Sequence, residues 1–245
     1  MNLSATALEG LPEVGEGDDL AGLLAAAAPG GFHAGDVLVV AHKVVSKAEG
    51  RVRTLATVEP GDRARDLADE HGKDPRMVQV VLDESAELLR AHHGVLICLT
   101  HHGFVCANAG VDRSNAPGAD QVVLLPADPD ASARALRAAL PGRPAVVLAD
   151  SFGRAWRVGQ TDVAIGAAGL VALDDWRGRP DARGRRMEAT EIAVADAVAG
   201  AADLARAKDG GAPAVLVRGL DRFVTEEDGP GAAALRRPPE LDLFR

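Results

Sequence analysis

Three short stretches of this 245-residue chain concentrate side chains capable of chemistry. The first, His42-Lys43-Val-Val-Ser46-Lys47, follows the apolar run Asp36-Val-Leu-Val-Val-Ala-His42. A lysine just past a strand end can set a point positive charge against a phosphate, and it can equally be a solvated surface lysine. The second, Ala109-Gly-Val-Asp112-Arg-Ser-Asn115, combines a carboxylate with hydroxyl and amide neighbours, a set that also makes Asx-type turns. The third, Asp150-Ser-Phe-Gly-Arg154-Ala-Trp-Arg157-Val-Gly-Gln160-Thr-Asp162, reads as one loop after a buried strand. A loop needing only to turn does not gather carboxylates, guanidiniums and an indole, so this one reads as functional.

Asp112 and Asp150 are hard oxygen ligands near strand ends, suited to Mg²⁺ or Mn²⁺ held partly by phosphate oxygens. Arg154 and Arg157 can grip a phosphate or carboxylate bidentately, with structural salt bridges as the competing reading. The pairs His92-His93 and His101-His102 suggest zinc at first sight. Adjacent strand residues point to opposite faces, however, so both pairs read as turn or surface histidines. The phosphate signatures G-x-x-x-x-G-K-S/T and G-x-G-x-x-G after a strand are absent, so any nucleotide site is built another way.

Elements must position these clusters. Asp18 and Asp19 cap a helix carrying Leu20, Leu23 and Leu24, stopped by Pro29 and Gly30. The run from Asp36 to His42 is a buried strand. Asp74 and Pro75 open a second helix bearing Met77, Val80, Val81, Leu88 and Leu89, expected to end near His92. Val95 to Thr100 and Phe104 to Ala107 form a hairpin, and Val122 to Leu125 another strand. Asp128-Pro129 opens a helix with Leu136 and Leu140, broken at Pro141. Ala145 to Ala149 is a strand whose carboxyl end delivers Asp150 and Ser151, the end at which open α/β sheets bind ligands. Thr190 to Lys208 is an Ala-rich helix and Ala214 to Val217 a last strand, before a Pro-, Gly- and charge-rich stretch from Asp221. Without a strict βαβ cadence, the expectation is a mixed α/β (α+β) architecture, not a Rossmann sheet.

Composition limits the function. Aromatics are 3% with no Tyr, which opposes stacking on single-stranded nucleic acid, and the net charge of -9 opposes broad attraction to phosphate backbones or anionic lipid. Cys98 and Cys106 sit in apolar stretches and read as buried thiols in a reducing compartment. The start lacks a signal peptide's basic residues and Leu20 to Ala28 is too short to span a bilayer, so the expectation is a cytoplasmic protein.

Five strings, Leu11-Pro-Glu-Val14, Lys43-Val-Val-Ser-Lys-Ala-Glu-Gly50, Ala109-Gly-Val-Asp-Arg-Ser-Asn115, Asp150-Ser-Phe-Gly-Arg-Ala-Trp-Arg157 and Gly159-Gln-Thr-Asp-Val-Ala-Ile-Gly-Ala-Ala-Gly169, resemble the coenzyme F420-0:L-glutamate (γ-glutamyl) ligases in the same order. The resemblance runs from about Gly10 to Gly219. It implies a two-lobed α/β fold specific to that family, an intertwined homodimer, GTP as co-substrate, two Mg²⁺ or Mn²⁺ ions per subunit, and K⁺. By the same resemblance Leu11, Pro12, Glu13, Val14, Lys47 and Asn115 contact the nucleotide, and Asp112, Asp150 and Ser151 hold metal. It implies small-molecule partners, F420-0, L-glutamate and GTP, with no nucleic acid or membrane.

Two positions depart from the family pattern. His42 stands where Ser or Thr is usual, so that nucleotide contact would be made by an imidazole if at all. Ala207 and Lys208 stand where Gly followed by Gln or Glu supplies a metal-side contact. A protonated lysine cannot ligate a cation, and Lys208 would instead pair directly with phosphate.

The expected organisation is a ligase domain over residues 1–220 and a tail over 221–245, without the nitroreductase-like domain of some relatives. The expected chemistry is attack of the acceptor's carboxylate on the γ-phosphate of GTP, then attack of the glutamate amine on the acyl phosphate. No residue is marked out as the base for that amine, His42 being a candidate by chemistry only. A ligase of the same fold for another acceptor or amino acid, and a GTP-binding regulator that has lost catalysis, stand as alternatives.

Overall fold

The computed structural model describes residues 2–242. In chain order its strands are β1 (Ser4–Leu8), β2 (Val37–Ala41), β3 (Val52–Thr54), β4 (Ser85–His92), β5 (Val95–Thr100), β6 (Val105–Ala107), β7 (Gln121–Val123), β8 (Ala145–Arg154), β9 (Arg157–Ala168), β10 (Leu173–Asp175), β11 (Glu191–Ala193) and β12 (Ala214–Arg218). Its helices are α1 (Leu20–Ala27), α2 (His42–Ala48), α3 (Asp62–His71), α4 (Pro75–Asp83), α5 (Pro129–Ala139) and α6 (Val194–Ala205).

A five-stranded sheet in the order β1-β12-β2-β8-β9 forms the centre. Both of its faces are covered, which is why β2, β12 and the first half of β8 read as continuous apolar runs. Leu38, Val40, Val146, Leu148 and Leu216 pack one face against Leu20 and Leu24 of α1 and Ala133 and Leu136 of α5. Val37, Val39, Val147, Val215 and Val217 pack the other against Val194, Ala195, Val198, Ala199 and Ala202, the apolar stripe of α6. A separate core joins α3 and α4 to β5 and β7 through Leu55, Ala64, Ala68, Val78, Val81, Leu96 and Val122. The architecture is mixed α/β with several sheets and no closed barrel.

β2 and β8 run parallel in register, Val37 beside Ala145 through Ala41 beside Ala149. Every other pairing in this sheet is antiparallel, so it is not a doubly wound sheet. The parallel pairing ends at Ala41 and Ala149, and the residues that follow, His42 and Asp150, become neighbours.

Three expectations from sequence are corrected. The helix expected to reach His92 ends at Asp83, and Leu88 and Leu89 lie on β4, which pairs antiparallel with β5. The turn between them is His93-Gly94, both with positive φ (48° and 76°), the geometry that joins two strands through a two-residue turn. The stretch from Asp150 to Asp162 is a hairpin rather than a loop: β8 and β9 pair from Asp150 opposite Val163 out to Arg154 opposite Arg157. The Ala-rich helix starts at Val194 and ends at Ala205, because residues 191–193 are drawn into pairing with β10.

The residues beyond β12 pack back onto the sheet. Ala232 is buried in the α6-side core, and the Asp130 carboxylate accepts the Ala232 N–H at 2.7 Å. Arg137, 3% exposed, donates to the carbonyls of Thr225 and Glu226 and to Asp228. Residues 243–245 of the expected tail lie outside the described residues.

Asp74 caps α4, accepting the Arg76 N–H at 2.9 Å and gripping its guanidinium at 3.1 and 2.7 Å. That side-chain hydrogen bond outweighs burial and holds the Asp74 carboxyl below its ordinary value. A carboxyl depressed in the folded state stabilises above its unfolded pKa, and the contribution fades as pH falls through the folded one. Asp74→Ala is therefore expected to cost about 1 kcal/mol near neutrality and progressively less below about pH 4. Urea unfolding across a pH series checks it; a pH-independent difference would contradict the assignment.

Candidate active site

Where the β2–β8 pairing ends, at Ala41 and Ala149, lies a cavity of about 440 Å³. Its walls come from stretches far apart in sequence: Leu11 to Val14, Ala41 to Val44 with Lys47, Asn115, Ala149 to Ser151, and Arg206 to Asp209 with Gly211 to Pro213. Ten residues singled out from sequence line it: Leu11, Pro12, Glu13, Val14, His42, Lys47, Asn115, Asp150, Ser151 and Lys208. Lys43, Lys47, Arg206 and Lys208 share these walls with Glu13, Asp150 and Asp209, and each of the four cations is paired with a carboxylate.

The short helix α2, a stretch to which sequence reasoning gave no secondary structure past His42, aims three of these groups. His42 is 2% exposed, with Nδ1 3.3 Å from Ser46 Oγ and Nε2 3.3 Å from Asp150 Oδ1. The latter is an ion-pair distance, but it lies off the line a hydrogen bond requires, leaving Nε2 buried without a hydrogen-bond partner. One turn on, Lys47 is 5% exposed and its Nζ meets Glu13 Oε1 at 2.5 Å. Between them Lys43 Nζ donates to Asp112 Oδ2 at 2.6 Å and to Ser114 Oγ at 2.5 Å.

Lys43 pairs with Asp112, one of the two carboxylates expected to hold metal, and its charge is felt at the other, Asp150. Burial pushes the Asp150 carboxyl up, but His42, the Ser151 N–H and the Lys43 ammonium more than offset it and leave it depressed. Asp112 is likewise pushed up by burial and carried below its ordinary value by Lys43 and Ser114. Asp112 touches the cavity through Lys43 rather than lining it. Cys106 is buried near Asp150, and burial pushes its thiol up to about 12, which removes it as a nucleophile.

A second cluster adjoins the first. Ser151 faces Asp162 across the β8–β9 pair and donates to its Oδ1 at 2.6 Å. Asp162, 1% exposed, also receives the Arg206 guanidinium. Lys208 Nζ lies 2.8 Å from Ser151 Oγ, 2.7 Å from Asp203 Oδ1 and 3.4 Å from Asp162 Oδ1. Desolvation lowers the Lys208 pKa, and Asp203 and Asp162 reverse this to leave it raised. Sequence reasoning placed Lys43 in a candidate cluster without naming its partner, missed Arg206 and Asp203 as parts of the site, and gave Asp162 no role. The signal for Asp162 was a carboxylate in a string otherwise destined for a buried strand.

Arg154 and Arg157 do not line the cavity. They sit exposed at the tip of the β8–β9 hairpin, where Arg154 Nη2 donates to the Val158 carbonyl at 2.9 Å. The histidine pairs are spoken for locally: His101 Nε2 contacts the Asp83 carbonyl, His102 Nε2 the Pro126 carbonyl, and the His92 and His93 rings meet each other.

The donor set was compared with the two divalent cations implied by the resemblance. Among the described residues no three His, Cys, Asp or Glu side chains form a ready-made cage. A cation at Asp150 would complete its oxygen shell from a phosphate and water, as Mg²⁺ commonly does, with Asp112 held back by its bonds to Lys43 and Ser114. A second cation fits poorly, because the Ser151 hydroxyl is already engaged by Asp162 and by the Lys208 ammonium.

Comparison with known proteins agrees with this geometry. The family described as F420-0:Gamma-glutamyl ligase matches residues 10–219. The chain is 43% identical to the coenzyme F420:L-glutamate ligase of Methanothermobacter thermautotrophicus, over 100% of both chains. It is 45% identical to the enzyme of that name from Haloarcula marismortui, covering 98% of this chain and 94% of that one. The identity is 49% to that of Natronomonas pharaonis, over 99% and 95%. Among the described residues no helix is long and apolar enough to cross a membrane. With a family match across most of its length and full-length relatives at this identity, the chain belongs to the F420-0:γ-glutamyl ligase family of amide-forming ligases.

Proposed function

We propose that this protein uses GTP to attach L-glutamate to coenzyme F420-0, through an acyl phosphate. The observation that supports it best is the single cavity in which residues 11–14, 42, 47, 115, 150–151 and 208 meet beside the Lys43 and Lys47 ammonium groups. Cytoplasmic location, an intertwined homodimer of two-lobed subunits, and use of Mg²⁺ or Mn²⁺ with K⁺ belong to the same proposal. The exposed β8–β9 tip, with Trp156 82% and Val158 96% exposed, supports a partner subunit.

Joining a carboxylate to an amine at neutral pH requires activation of the carboxylate. A carboxylate oxygen of the acceptor attacks the γ-phosphorus, the bond from that phosphorus to the β–γ bridging oxygen breaks, and GDP departs. The glutamate α-amine then attacks the acyl carbon, the carbon–oxygen bond to phosphate breaks, and the nitrogen loses its extra proton. Lys47 and Lys43 supply fixed positive charge against the triphosphate, in positions set before the nucleotide arrives. Leu11, Pro12 and Val14 wall the cavity beside Glu13, and Asn115 offers an amide to the nucleotide. A divalent cation held by Asp150, with Asp112 alongside, would neutralise charge on the transferring phosphoryl oxygens.

The test is one incubation of the protein with F420-0, GTP, Mn²⁺, K⁺ and L-glutamate, read by mass. A gain of one glutamyl unit with matching GDP release is expected. GTP binding without product would instead favour a regulator. Product with a different amino acid or acceptor in a substrate panel would reassign the substrate.

A further inference from the structure

We propose that the Lys208 ammonium stands where a second divalent cation would otherwise sit, so that the chain holds a single divalent cation beside its nucleoside triphosphate. This rests on the nucleotide-and-metal reading above and deepens it.

The arrangement around Lys208 is that of a small cation site already filled. Three oxygens surround Nζ: Asp203 Oδ1 at 2.7 Å, Ser151 Oγ at 2.8 Å and Asp162 Oδ1 at 3.4 Å. An ammonium has three protons to offer and no lone pair, so it hydrogen-bonds Ser151 and Asp162, pairs by charge with Asp203 and ligates nothing. Ser151 is used on both sides, donating to Asp162 and accepting from Lys208, which leaves its hydroxyl unavailable to a metal without rearrangement.

Charge points the same way. The two carboxylates, Asp162 and Asp203, face two permanent cations, Arg206 and Lys208. The cluster is neutral as it stands, and an added divalent ion would meet two positive neighbours with no unbalanced carboxylate to hold it. The Asp150 end differs. There the cavity carries a carboxylate beside an imidazole nitrogen with no hydrogen-bond partner, and the lysine charge is shared with Asp112. Lys208 is also placed to reach the nucleotide: its side chain is 63% exposed and lines the same cavity as Lys47 and Asp150.

The experiment counts Mn²⁺ bound per chain by electron paramagnetic resonance and by isothermal titration, with guanosine 5′-(β,γ-imido)triphosphate present. The wild-type chain is expected to take up one ion. Lys208→Glu reverses the charge at an exposed position and should create a second site, tighter than any second binding to wild type by roughly tenfold or more, with dipolar broadening between the two ions. Lys208→Gln, which alters the charge least disruptively, should give a weaker second site. Circular dichroism confirms that each variant is folded. Two ions per wild-type chain, or no second ion in folded Lys208→Glu, would overturn the proposal. A wild-type chain that binds neither the analogue nor Mn²⁺ would overturn the nucleotide reading beneath it.

Discussion

Asp150→Asn should lower GTP-dependent ligation by roughly 10³-fold while leaving the protein folded. The substitution keeps the shape of the side chain just past the β2–β8 pairing and removes its charge. The wild-type carboxylate accepts the Ser151 N–H at 2.8 Å, lies beside His42, and is depressed by both His42 and Lys43. It is the ionised oxygen group on the cavity wall nearest to where the β2–β8 pairing ends. An amide there removes the negative charge facing His42 and takes away the oxygen donor best suited to a hard cation, while Lys43 keeps its partner Asp112. Product formation followed by mass, together with GDP release, measures the effect. Turnover within a few fold of wild type would remove Asp150 from the reaction.

Lys47→Met should weaken GTP binding by about 2–4 kcal/mol, which is roughly 30- to 700-fold in Kd. Lys47 is 5% exposed, so its ammonium acts from a region where water screens little. Its protein partner Glu13 is 72% exposed and can return to solvent when the lysine is lost. The change should therefore fall on the ligand rather than on the fold, whose stability should move by no more than about 1 kcal/mol. Titration calorimetry and urea unfolding on the same variant separate the two. Unchanged nucleotide affinity would make Lys47 a structural partner of Glu13 only.

Legibility from sequence followed the strength of local signals. The strand from Val37 and the capped helix from Pro75 were readable because apolar runs and Asp-Pro starts carry their own chemistry. The polar helix α3 was missed: only Ala64 and Ala68 of its residues are buried, so it shows almost no apolar stripe. The outer half of the β8–β9 hairpin was read as a loop because residues 153–160 are all exposed, and a strand pair open to water on both faces shows no alternation. Leu88 and Leu89 extended the helix from Pro75 on paper, since helical spacing was satisfied by residues that the His93-Gly94 turn commits to a sheet. In the site, strings matching a family marked the residues that line the cavity. The pairings made only by tertiary contact, such as Lys43 with Asp112 and Arg206 with Asp162, were not legible along the chain even where the residues themselves stood in marked strings.

The family match ends at residue 219, but the packing does not. Arg137 is a charge in the interior whose oxygens come from Thr225, Glu226 and Asp228. A shortened chain ending at Gly219 would strand that guanidinium and uncover the patch beneath Ala232, a loss on the order of 3–5 kcal/mol from the charge alone. The point at which the family match stops is thus a poor place to cut: the last stretch covers the sheet's α6 side, and trimming it trades a shorter polypeptide for an aggregation-prone one.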